Sequence, residues 1–229
     1  MPLDDLETAW ASYEAAELDR IRNVTLTRLE ALIAALKQLP ESQRFEWAKD
    51  IAERSVDGEL QTPVRMPLFR EVLFPALVSG IQAKEPGCAR WLAGFSQLFY
   101  KHKDGQPSLR AEHRSEIGLL KEALSLDPED RLAASRLLKA IAWQLEYAIH
   151  EIPAGVLVSY GLSAIDGCAE LMLQLGEFEQ LAVRCDQTSS YQDLIDECRL
   201  HFREYAKYAS GKTGFGSYAE YLESIGFAG

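Results

Sequence analysis

Between Leu3 and Leu39 the chain has neither proline nor glycine, and its apolar residues recur at helical spacing. Leu6, Trp10 and Tyr13 mark one stripe; Leu29, Leu32, Leu36 and Leu39 mark another. The stripes do not share a register. That predicts one bent helix, or two helices with a break near Arg20 to Thr25. Pro40 suits the first turn of a further helix, whose face is Phe45, Ala48, Ile51 and Ala52 and whose stop is Asp57-Gly58. Leu68, Phe69, Val72, Leu73, Ala76 and Leu77 form a third face, and Pro75 inside it should kink or end that helix, because it lacks a backbone donor. Cys88, Trp91, Leu92, Phe95, Leu98 and Phe99 follow the i, i+3, i+4, i+7 pattern and predict a single helix with a buried aromatic stripe.

After a polar loop at Lys101 to Pro107, Ser108 is placed to cap a helix carrying Leu109, Ile117, Leu120 and Leu124. Asp127-Pro128 reads as a cap and first-turn proline for a helix lined by Leu137, Leu138, Ile141, Leu145 and Ile149. Val156 to Val158 is the only strand-like run, too short to found a sheet. Ser163 with Asp166, Ser190 with Asp193, and Ser217 with Glu220 match the Ser-x-x-acid signature of a helix start. Gly176 is expected to separate a helix over Ile165 to Leu175 from a short one around Phe178 and Leu181. The expected fold is all-α: an irregular multi-helix bundle, or a helical array, of about ten helices in one domain over 1–229. A soft division is expected near 101–108.

Two fragments bear on the choice between bundle and array. KEALSLDPED, Lys121 to Asp130, resembles the end of a tetratricopeptide repeat running into the next. LGEFEQLA, Leu175 to Ala182, resembles the turn between the two helices of such a repeat. The resemblance covers about a tenth of the chain and implies stacked helix pairs. The family's 34-residue spacing is not kept between the fragments, and Glu116 stands where the family has a small residue.

Composition adds a compartment and a charge. The 229 residues are 47% hydrophobic and 26% charged, the balance of an ordinary globular chain. No window approaches a membrane-spanning length of apolar residues. Met1 to Asp19 holds six acids and no base, so no secretory leader and a cytoplasmic location are expected. The four cysteines, Cys88, Cys168, Cys185 and Cys198, form no Cys-x-x-Cys pair and are expected as free thiols. The net charge of −11 argues against nucleic acid and anionic membranes as partners. It favours a basic protein. Lys84 to Lys121 runs against the trend, with seven bases and four acids.

No chemistry stands out locally. Gly211-Lys212-Thr213 copies the end of a phosphate loop, but Ala206 occupies the position where the first glycine belongs. Glu146 and His150, and Glu197 and His201, are each four apart and share helix faces, with Cys198 three before His201. Two helices could present these as ligands, although the Glu-x-x-His spacing of bundle metal sites is absent. No catalytic residue, cofactor or metal site is therefore expected. The sequence fits a cytosolic protein–protein interaction module: an adaptor, a regulator or a toxin-neutralising immunity protein. Its basic partner would meet acidic helical faces at Asp4, Asp5, Glu7, Glu14, Glu17, Asp19, Asp193, Asp196 and Glu197. The alternative is an enzyme whose site, metal-dependent or not, is assembled from distant helices.

Overall fold

The computed structural model describes residues 3–58, 60, 62–102, 109–152 and 163–227, and for 3–5 the backbone alone. Every regular element among them is helical, as the apolar spacing predicts. Ser108 and Val156 to Val158 lie outside the described residues. The chain forms two compact units, 1–133 and 134–229. The boundary falls inside one long helix rather than at the polar loop, because helices on either side of that loop pack on each other.

In the first unit, α1 (Leu3–Leu18) and α2 (Arg22–Lys37) pack together. The break between them is at Arg20, whose φ of 57° is left-handed. Buried Thr25 fixes the corner by donating to the Ala16 carbonyl at 2.8 Å. Tyr13, Leu29, Leu32 and Leu36 are fully buried there, so both predicted stripes face the core. Helix α3 (Glu41–Val56) has Pro40 just outside it at the cap position, and it buries Ala48, Ile51 and Ala52. Phe45 stays half-buried.

The segment around Pro75 differs from the expected kink or stop. A short α4 (Met66–Leu68) passes into a π-helical turn (Phe69–Leu73) and on into α5 (Phe74–Gln82). Phe74 N–H donates to the Phe69 carbonyl five residues back. Pro75 then falls in the first turn of α5, where a missing donor is tolerated. The change of register ahead of the proline lets the helical path continue.

The helix predicted from Cys88 to Phe99 is two: α6 (Cys88–Gly94) and α7 (Ser96–Lys101). They meet at Phe95, with φ −95° and ψ 23°. The stripe is nevertheless core. Trp91, Phe95 and Phe99 are all buried, and the Phe95 ring lies 5.7 Å from that of Phe69.

Helix α8 (Glu116–Leu126) starts later than expected, after a 3₁₀ turn at Ala111–Arg114. Its cap is Ser115, which accepts from Gly118 N–H at 3.0 Å. Asp127 turns the chain instead of capping a helix, accepting from Glu129 N–H at 3.0 Å. Asp130 supplies the cap for α9 (Arg131–Glu151), accepting from Ala133 N–H at 2.9 Å.

In the second unit, α10 is continuous over Ala164–Arg184, so Gly176 separates nothing. Cys168, Leu175, Phe178 and Ala182 form one buried line across that glycine. A helix-interior glycine costs only about 1 kcal/mol, less than an uninterrupted packing face returns. Helix α11 (Gln192–Ala209) packs antiparallel to α10, with Glu179 against Arg199 at one level and Cys168 near Tyr205 at another. Ser190 does not cap it; Ser190 lies in a 3₁₀ turn, and Tyr191 stands at the cap position. Ser163 caps α10 as expected, and Ser217 caps α12 (Tyr218–Ser224) by accepting from Glu220 N–H.

Candidate functional site

The nine acids singled out by sequence are placed unevenly. Glu7, Asp19, Asp193, Asp196 and Glu197 are exposed. Asp196 is partly neutralised by Arg199 at 3.1 Å. Glu14 accepts from Thr62 at 3.1 Å, and Glu17 is turned inward. Its carboxylate takes the Arg65 guanidinium in a two-pronged pair and is only 8% exposed. That pair holds the Glu17 carboxyl below its usual range, the Arg65 hydrogen bond being the largest cause. Glu14 and Glu17 thus tie α1 to the segment before α4. The side chains of Asp4 and Asp5 lie outside the described residues.

The basic stretch from Lys84 to Lys121 is likewise drawn inward in part. Arg90 is buried in α6 between Asp57 and Asp130, the latter at 2.8 Å. Buried His113 faces Glu122 at 3.4 Å. Such groups are committed to packing the first unit and add little to its outer field.

A longer run of net negative charge lies in the second unit. Residues 141–197 contain ten acids and a single base, Arg184. Eight of those acids are exposed: Glu146, Asp166, Glu170, Glu177, Asp186, Asp193, Asp196 and Glu197. Three of them follow one another along the outer line of α10. Asp166, Glu170, Leu173 and Glu177 recur at i, i+4, i+7 and i+11, all exposed. Leu173 is 71% exposed, in the middle of that line. The opposite face of α10 is the buried line that packs on α11, so the acidic face is directed away from the unit's own core. Sequence reading missed these α10 acids because Gly176 divided the helix into two short pieces, on which no continuous face could be drawn.

A second feature is a cleft of about 390 Å³ between α9 and α11, lined by Glu146, Ile149, His150, Glu197 and His201. The two Glu/His pairs noted in the sequence therefore do come together. Cys198 is buried beside them, its thiol pushed up to about 12 by burial and by Glu197 and Glu146. Cys88 and Cys168 are also buried and pushed up to about 11 by burial. Thiols this reluctant to ionise are packing groups. Among the described residues no three His, Cys, Asp or Glu side chains are placed to hold a metal ion. Lys212 is exposed on a turn that follows α11, where a phosphate loop would follow a strand.

No described helix is long and apolar enough to cross a membrane. Set beside known protein families, curated proteins and solved structures, the chain matches none of them.

Proposed function

We propose that this protein is an interaction module that binds a basic protein partner through the acidic surface of its second unit. The observation that carries the reading is the outer line of α10, where Asp166, Glu170 and Glu177 surround the exposed Leu173. Carboxylates in that arrangement attract and orient a basic surface, and one central apolar side chain offers a contact that excludes water. An adaptor, a regulator and a toxin-neutralising immunity protein would all use such a face, and a cytoplasmic location agrees with the free thiols. Glu7, Asp19, Asp193, Asp196 and Glu197 extend the acidity beyond α10.

The test uses Glu170→Lys/Glu177→Lys, which reverses the line without disturbing Asp166 and its cap. Wild type and variant serve as baits in lysate from the protein's own source. Basic proteins retained by the wild type and lost by the variant support the proposal. Identical recoveries, or acidic partners, contradict it.

The second reading, an enzyme with a site assembled from separate helices, is favoured by the cleft of Glu146, His150, Glu197 and His201. It calls for a His201-dependent reaction on a small molecule, and a His201→Gln variant with unchanged partner binding but lost turnover would establish it.

A further inference from the structure

We propose that the groove between α3 and α5 in the first unit binds a small carboxylate with an apolar tail, with Arg44 as its anchor. The groove encloses about 560 Å³, within the range of small-molecule clefts. Phe45, Val72, Pro75 and Ala76 supply its apolar lining. Its α5 wall follows directly on the π-helical turn at Phe69–Leu73, and such turns recur at ligand sites because they re-aim side chains without ending the helix. Pro75 presents a ring there and no donor, so that part of the wall offers only apolar contact.

The charged groups along the groove are Lys37, Glu41, Arg44, Glu71 and Glu85. Three of them are already committed. Glu71 accepts from Lys37 at 2.5 Å and from Arg70 at 3.3 Å. Glu85 faces Lys49 at 3.7 Å, and Lys49 also lies over the Phe45 ring at 5.3 Å. The side chains of Arg44 and Glu41 have no ion pair or hydrogen bond among the described residues; the Arg44 backbone N–H donates to the Pro40 carbonyl at 3.0 Å. Glu41 is exposed in the first turn of α3. Arg44 is half-buried, beside the apolar lining.

A guanidinium that has lost part of its water without gaining an anion can recover that loss from a ligand. Its planar fork matches a carboxylate in two parallel hydrogen bonds. The lining next to it selects for a hydrocarbon tail rather than a fully hydrated ion. Glu41, whose carboxylate is not paired among the described residues, repels a second negative charge, which favours a monocarboxylate over a phosphate. Glu41, three residues before Arg44 on the same face of α3, is the charge that holds affinity down.

Octanoate is the probe, followed by isothermal titration at constant ionic strength and below its micelle threshold. Acetate and octan-1-ol are the controls for head and tail. One saturable site for octanoate is expected on the wild type, with acetate and octanol at least about tenfold weaker. Arg44→Gln should weaken octanoate by about tenfold or more, the loss of a charged bidentate contact. Glu41→Gln should tighten it several-fold. Absence of saturable binding, equal binding by Arg44→Gln, or equal binding of octanol would each overturn the proposal. If Arg44→Gln is unfolded, Glu41→Gln decides: tighter octanoate binding supports the site and unchanged binding overturns it.

Discussion

The Nδ1 atom of His201 lies 3.2 Å from the Tyr218 hydroxyl oxygen, and that hydroxyl donates to the His201 carbonyl at 3.3 Å. A phenol has one proton. With that proton on the carbonyl, the oxygen accepts from Nδ1–H, which leaves the lone pair on Nε2. Burial holds His201 below the usual histidine range, against the opposing pull of Glu197. That shift favours the neutral ring.

A pH dependence follows. Because the folded-state pKa is depressed, the unfolded chain takes up the proton first as pH falls below about 6.5. Stability is fully present above that value and is lost as pH drops towards the folded pKa. Urea unfolding of wild type and His201→Gln at about pH 7.5 and about pH 5.5 should show a larger acid loss for the wild type. Equal losses would mean that His201 titrates as it does in the unfolded chain.

Phe95 joins α6 to α7 and packs 5.7 Å from Phe69, 8% exposed. Phe95→Ala should destabilise the first unit by about 3–5 kcal/mol in denaturant unfolding. A stability unchanged by that substitution would place the aromatic stripe on a surface.

Two glycines should respond with opposite signs. A Cβ on Gly118 would lie 1.6 Å from the Glu112 carbonyl oxygen, so Gly118→Ala must move backbone and should destabilise by at least about 1–3 kcal/mol. A Cβ on Gly176 meets nothing within 4 Å, and α10 runs through it. Gly176→Ala should therefore stabilise by about 0.5–1 kcal/mol, the helix-propensity gain. Destabilisation at Gly176 would mean that the residue belongs to a turn after all.

What the sequence made legible was each apolar face; what it left open was how faces join. Leu29, Leu32 and Leu36, or Trp91 and Phe99, are buried because helical spacing reports burial directly. Phe95 lies in the same stripe, yet the helix breaks there, because one turn of altered backbone keeps a stripe facing the core. At Pro75 a π turn absorbed a residue that local rules read as a stop. At Gly176 tertiary packing outweighed a weak local preference. The acidic line of α10 was legible only as net charge. Glu17 looked like its neighbours on α1, and nothing local announced Arg65, 48 residues away, as its partner.

The α10 surface is tested most directly by association kinetics. Opposite charges speed encounter more than they set residence, so salt should act on one rate and spare the other. For a basic partner recovered with the wild-type bait, association should slow at least about tenfold between about 0.05 M and about 0.5 M salt. Dissociation should change little. Glu170→Lys/Glu177→Lys should associate slowly at both salt concentrations, and Leu173→Asp should raise the dissociation rate. An association rate indifferent to salt, or to reversal of Glu170 and Glu177, would contradict the assignment of this face as the binding surface.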